Sequence, residues 1–312
     1  MLSRMGAWVR EFRLVFLLFG VLPVIIGSLV ACDYYPQQFS LAYFFVSLVA
    51  IVLLHAGTIA FNDYFDYRSG ADVINRERTP FTGGTGLLVD GTLKPSHVLG
   101  AGSLCFALCI ALGMFIVFTR SPAVFLFGVV GVGLGSLYTA PPLRLAYRLL
   151  GEITWFLSFP MAALGALVVQ APPFSAGDVL AMQPALASAV VAAMPVAFLA
   201  TAGFVVLEFP DYDADRASGK VGATVLIGKK ASIFLFAAFC VLSIACLAGA
   251  VALGFLPVTA LAALLLLPAM VWVGTGLARF HERPVRLVPY IVGGAIAIYL
   301  FSLVIIGSMA FK

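Results

Sequence analysis

Apolar runs separated by short polar or Gly/Pro-rich stretches recur along the whole chain. Cut at the charges and at the Pro and Gly clusters, they fall near 13–32, 41–61, 98–118, 122–140, 150–170, 184–207, 231–252, 255–277 and 287–310. A helix needs about 20 residues to cross a hydrocarbon core roughly 30 Å thick, so each run is long enough to span. The strict in/out alternation of a β-barrel is missing from these runs. Arg4, Arg10 and Arg13 precede the first run as they would in a signal peptide. The run is too long for the apolar part of one and more spans follow, so it is expected to be a retained first helix. The pattern predicts one all-α, polytopic membrane domain over residues 1–312, with nine transmembrane helices set in the lipid bilayer.

Composition agrees and excludes other classes. Of the 312 residues, 62% are hydrophobic and 10% charged, against roughly 45–50% and about 25% in soluble domains. A disordered chain, a nucleic-acid binder and an ordinary cytosolic enzyme are all excluded on that ground. Cys32, Cys105, Cys109, Cys240 and Cys246 lie in or beside apolar runs, with no zinc-type CxxC pair, and read as small packing residues.

Charge changes the picture through its placement. With nine spans, sixteen of the 18 Lys and Arg residues fall on one side, leaving Arg120 and Lys312 opposite. By the positive-inside rule the rich side is cytoplasmic, the N-terminus lies there and the C-terminus lies on the other side. The lack of a transit-like leader fits a plasma membrane. Of the 14 Asp and Glu residues, only Asp33 and Asp178 fall on the poor side. Acidic residues contribute little to orientation, so their gathering points to chemistry on the cytoplasmic face.

Two acidic segments there echo each other. The first reads Asn62-Asp63-Tyr64-Phe65-Asp66-Tyr67-Arg68-Ser69-Gly70-Ala71-Asp72, the second Asp211-Tyr212-Asp213-Ala214-Asp215-Arg216-Ala217-Ser218-Gly219-Lys220. A shift of 149 positions lays Asn62 on Asp211, Asp66 on Asp215, Ser69 on Ser218 and Gly70 on Gly219. Each segment continues an apolar span, so its first turns are expected to be helical, with Asn62 and Asp66, and Asp211 and Asp215, paired on one face. Oxygen ligands without His or Cys favour Mg²⁺, and two facing pairs could hold two Mg²⁺ ions. Solvated charges at helix ends are the competing explanation for either segment alone; two copies in register weaken it.

These motifs resemble those of the UbiA superfamily of intramembrane prenyltransferases. The first segment is similar to the family's NDYxDYxxGxD motif as found in the menaquinone-type branch, and the second to its other aspartate-rich motif. Tyr138-Thr139-Ala140-Pro141-Pro142-Leu143-Arg144, running to Gly151-Glu152, resembles the family's tyrosine-proline-proline-arginine loop, and Arg13, Pro23 and Gly27 match the spacing of its first helix. The resemblance implies nine helices around a central cavity open to the cytoplasm. It implies Mg²⁺-dependent transfer of a prenyl group from a polyprenyl diphosphate to a small aromatic acceptor, 1,4-dihydroxy-2-naphthoate in that branch. It further implies Asn62, Asp66, Asp211 and Asp215 as metal ligands, with Asp63 and Asp72 as weaker candidates. Arg13, Lys94, Arg144 and Lys220 are candidates for gripping diphosphate, and Tyr138 for lining the path of the prenyl cation.

The Gly-rich stretch Thr79-Pro80-Phe81-Thr82-Gly83-Gly84-Thr85-Gly86 is expected to act as a lid and has no Walker pattern. His55 lies inside a span and reads as a packed or water-facing residue. A 4-hydroxybenzoate-type acceptor is the alternative within the enzyme class. A cation-coupled transporter is the alternative outside it, disfavoured because transporter sites lie near the bilayer midplane, where this chain places no charge.

Overall fold

The computed structural model describes residues 4–172 and 179–311; Asp178 and Lys312 lie outside the described residues. The architecture is all-α. In chain order the helices are α1 (Arg4–Glu11), α2 (Leu14–Tyr34), α3 (Leu41–Ser69), α4 (Ala71–Ile74), α5 (Pro95–Thr119), α6 (Val124–Ser136) and α7 (Gly151–Gln170). They continue with α8 (Val179–Ser218), α9 (Ala223–Ile227), α10 (Lys229–Ala252), α11 (Leu267–Phe280) and α12 (Val288–Ala310). The chain is a multi-pass membrane protein.

Among the described residues, eight helical stretches are long and apolar enough to cross a membrane; two of them gain length from 3₁₀ turns that precede α11 and α12. The ninth expected span, 122–140, is helical only over the 13 residues of α6, about 20 Å of rise. The chain then turns: Leu145 N–H donates to Leu137 O and Ala146 N–H to Tyr138 O. Pro141 and Pro142, which have no N–H to give, stand inside that turn and stop the helix.

The two acidic segments continue their spans as helix, as expected, and carry them well past the apolar runs. α3 runs eight residues past position 61 to Ser69, and α8 passes 207 to end at Ser218. Both carry their polar motifs outward as unbroken helix, so both acidic pairs share a helix face.

The core gathers round α8. Ala189, Ala192, Ala193, Val196 and Ala197 are fully buried, and these small side chains let α7 and α10 close on the helix while α2 and α12 flank it. α3 instead packs mainly on α5, where Gly57 lies against Phe106 and Gly102 against Phe61. The α3–α5 pair and the α8-centred bundle therefore present their polar helix ends towards each other.

Candidate active site

The sequence repeat is also a structural one. At the end of α3 the Ser69 hydroxyl donates to the Asp66 carbonyl at 3.0 Å, and at the end of α8 the Ser218 hydroxyl donates to the Asp215 carbonyl at 3.0 Å. Gly70 and Gly219 follow with φ of 90° and 76°, the left-handed conformation that closes a helix and that a side chain disfavours. The shared ending fixes where each helix stops, and so where its last carboxylate stands.

Lys220, one residue beyond the second glycine, lies between the two helix ends. Its Nζ is 3.0 Å from Asp66 Oδ2 and 3.5 Å from Asp215 Oδ1. Burial alone would lower the Lys220 ammonium, but Asp215, Asp66 and Asp211 outweigh it and hold it well above its ordinary value. Asn62 Nδ2 donates to Asp66 Oδ2 at 3.1 Å and the Tyr147 hydroxyl to Asp66 Oδ1 at 2.8 Å. Leu149 N–H donates to Val221 O at 2.8 Å, joining the loop of Tyr147 to that of Lys220. Glu152 and Glu208 clamp the same loop further on: Glu152 accepts from Ala223 N–H, and Glu208 accepts from the Thr224 hydroxyl at 2.6 Å.

The segment between α4 and α5 forms a roof that is packed rather than free. Asn75 Nδ2 donates to Asp211 Oδ1 at 2.8 Å, and Thr79 and Thr82 join hydroxyls at 2.9 Å. Thr85 ties the roof to three places. Its N–H donates to Asp63 Oδ2 at 2.9 Å, its hydroxyl to Glu11 Oε2 at 2.8 Å, and its carbonyl accepts from Arg10. Arg13 completes the cluster with a 2.6 Å contact to Asp63 Oδ1.

Two adjoining cavities result. A polar one of about 130 Å³ is lined by Asn62, Asp66, Asp72, Asp211, Asp215 and Lys220, with Glu152 and Glu208 at its side. An apolar chamber of about 700 Å³ lies next to it and descends between α2, α3, α5, α6 and α7. Arg13, Asn62, Phe81, Tyr138, Phe204 and Leu207 line both.

Most residues singled out in the sequence thus meet at one place, with three exceptions. Asp63 is turned away to Arg13 and Thr85. Lys94 is exposed at the start of α5 and lines neither cavity. Arg144 is also exposed and lines neither, because its left-handed backbone opens a 3₁₀ turn that buries Leu145 and Ala146 and delivers Tyr147 inward. Tyr147, Asn75, Glu152 and Glu208 were not anticipated as site residues. Tyr147 and Asn75 lie in loops without periodicity, and no spacing rule points to them.

The side chains fit a hard divalent cation chemically. All the candidate donors are oxygens, and six carboxylates face the polar cavity against Arg13 and Lys220. Burial, with Asp66 and Asp63 next in effect, pushes the Asp72 carboxyl up to about 9, as expected where carboxylates lack counter-charge. Among the described residues no three acidic side chains already close on one point; Lys220 stands between Asp66 and Asp215.

A model of the UbiA prenyltransferase family matches residues 20–286. The chain is 29% identical over 216 residues to a 1,4-dihydroxy-2-naphthoate octaprenyltransferase of Bacillus subtilis, covering 69% of this chain and 64% of that protein. It is 27% identical over 239 residues to UbiA prenyltransferase domain-containing protein 1 of Danio rerio, covering 75% and 65%. The match thus spans just under two thirds of each relative. Among solved structures, a UbiA homolog from Aeropyrum pernix superposes with a TM-score of 0.63 at 18% identity, over 91% of this chain and 97% of that one. A UbiA homolog from Archaeoglobus fulgidus bound to DMAPP and Mg²⁺ gives 0.58 at 16%, over 96% and 99%.

Proposed function

The chain belongs to the UbiA prenyltransferase family, and from that premise we propose that it transfers a polyprenyl group from an allylic diphosphate to an aromatic quinone precursor, with 1,4-dihydroxy-2-naphthoate the favoured acceptor. One observation carries the reading: two acidic helix ends meet across Lys220 at the mouth of a 700 Å³ apolar chamber. A molecule that fits both halves has an anionic head and a long hydrocarbon tail.

In the reaction the allylic C–O bond breaks, with both electrons leaving on diphosphate. A ring carbon of the acceptor then bonds the allylic carbon and the ring loses a proton, or its carboxyl group as carbon dioxide. Asn62, Asp66, Asp211 and Asp215 would hold Mg²⁺, two ions by the pairing, with Asp72 beside them. Bound there, Mg²⁺ supplies Lewis-acid stabilisation of the departing anion. Lys220 and Arg13 bring fixed positive charge to the diphosphate. Tyr138, at the junction of the cavities, offers its ring face to the developing cation. The packed roof keeps water from that cation. The site is assigned to the cytoplasmic side of the plasma membrane, in keeping with the charge asymmetry of the loops.

Arg13, at its mouth, is the one Asp, Glu, Lys or Arg residue lining the chamber among the described residues, which disfavours a mid-membrane transport site. The deciding experiment supplies the purified protein with Mg²⁺, a polyprenyl diphosphate and a panel of aromatic acids including 4-hydroxybenzoate, and identifies products by mass. Prenylated naphthoate is expected. Failure to prenylate any acceptor or to release diphosphate would sink the reading.

A further inference from the structure

Two residues of the chamber wall, Trp155 and His55, carry ring nitrogens without a hydrogen-bond partner among the described residues. Trp155 Nε1 on α7 is buried without an acceptor. His55 on α3 lines the chamber and makes no hydrogen bond to any described residue. Their rings meet edge to face with centroids 6.2 Å apart. A buried indole N–H normally finds a partner, and a hydrocarbon tail offers none to it or to the imidazole.

The surroundings suit a flat ring. Trp155 stacks on Phe204 at 5.2 Å and meets the edges of Phe19 and Phe159 at 6.0 Å. Opposite, α2 presents Gly20, where an added Cβ would stand 3.3 Å from His55 Nδ1, so the bare backbone lets α2 pack closely on one side of the imidazole. His55 and Asn62 are seven residues apart on one face of α3, about 10 Å along its axis. A ring held at His55 would therefore lie just below the acidic helix ends, within reach of the carbon released there.

We propose that His55 and Trp155 form the acceptor subsite, and that they recognise a ring hydroxyl of the aromatic acceptor. This rests on the prenyl-transfer reading above. A hydroxyl has one hydrogen to donate and lone pairs to accept with. It donates to a ring nitrogen of His55 and accepts from Trp155 Nε1–H, so one group satisfies both. A carboxylate has no hydrogen to donate, and its charge is costly to bury against this wall. The acceptor's carboxylate therefore points up towards Arg13 at the chamber mouth, and its hydroxyl points down. His55 acts here as a positioning and specificity-determining residue.

The test uses the full chain with Trp8→Phe and Trp272→Phe, which leaves Trp155 as the sole tryptophan of the three. Its fluorescence is titrated with 4-hydroxy-2-naphthoate and with 2-naphthoate. The hydroxylated probe is expected to quench with at least 10-fold higher affinity. His55→Phe is expected to bring its affinity down to that of 2-naphthoate, whose own binding stays put, while His55→Gln keeps part of the difference. Equal affinity of the two probes for the parent protein overturns the proposal, and that comparison holds even where His55→Phe fails to fold. In the transfer assay the acceptor KM is expected to rise in His55→Phe with the KM for prenyl diphosphate unmoved. Turnover with an unmoved acceptor KM removes the subsite and leaves the reaction standing. A probe difference with no transfer to any acceptor removes the reaction and leaves the subsite standing.

Discussion

Lys220 carries two consequences at the scale of single residues. Its ammonium neutralises Asp66 and Asp215 from within, so Lys220→Met leaves buried carboxylates facing each other. Breaking such a pair costs about 3–5 kcal/mol. Thermal unfolding of the variant is expected at lower temperature than that of the parent, with the gap narrowing when Mg²⁺ is added. A gap indifferent to Mg²⁺ would count against a cation site there. Glu11 gives a pH signature away from the acidic pairs. Burial, then Asp63, pushes its carboxyl from an ordinary 4.5 up to about 8. The folded chain thus holds this proton more tightly than the unfolded one, so the associated stability is full below about 4.5 and is lost as pH rises through about 8. Glu11→Gln stays neutral throughout. Its melting temperature is expected to fall less between pH 5 and pH 9 than that of the parent. The helical acids were legible in the sequence because a fixed period sets which side chains share a face. Lys94 and Arg144 are exposed and line neither cavity, a placement the sequence did not reveal because a loop residue's position says nothing of its direction.

At the scale of elements, the same helix ending occurs twice, and it was readable as Ser-Gly in both copies. What the pattern did not reveal is helix length. Apolar content marks where lipid ends, whereas α3 and α8 continue until a left-handed glycine stops them. α6 shows the opposite case, its apolar run outlasting its helix because Pro141 and Pro142 follow. The two glycine stops predict an asymmetry. Gly70→Ala and Gly219→Ala each force a side chain into left-handed backbone at roughly 1–2 kcal/mol, and each should lower the melting temperature by a similar few degrees. Only Gly219 is followed at once by the lysine between the carboxylates. Gly219→Ala is therefore expected to cut turnover several-fold more than Gly70→Ala, as steady-state rates on the two variants would reveal.

Across the whole molecule, a polar cavity opens onto an apolar chamber, and neither is visible in any one segment. Their walls come from helices far apart in sequence, so periodicity could foretell the pieces but not the enclosure. The chamber is deep. The Gly102–Phe61 and Gly57–Phe106 contacts show α5 running antiparallel to α3. They bring Gly113 level with residues near position 50, about 18 Å below Asn62. Gly113 lines the chamber and has open space beside it. Gly113→Phe is expected to shorten the longest prenyl diphosphate accepted while sparing the shortest, read from competition between donors of different length. The same longest product in variant and parent would place the tail elsewhere.

The fastening of Thr85 by Arg10 and Glu11 also bears on how the protein is handled. The first helix lies outside the bundle of spanning helices, yet it holds the covering of the polar cavity. A fusion or cleavage in the first dozen residues is therefore expected to change kinetics, because it disturbs what holds that covering in place. A tag placed there bears on the roof of the proposed site.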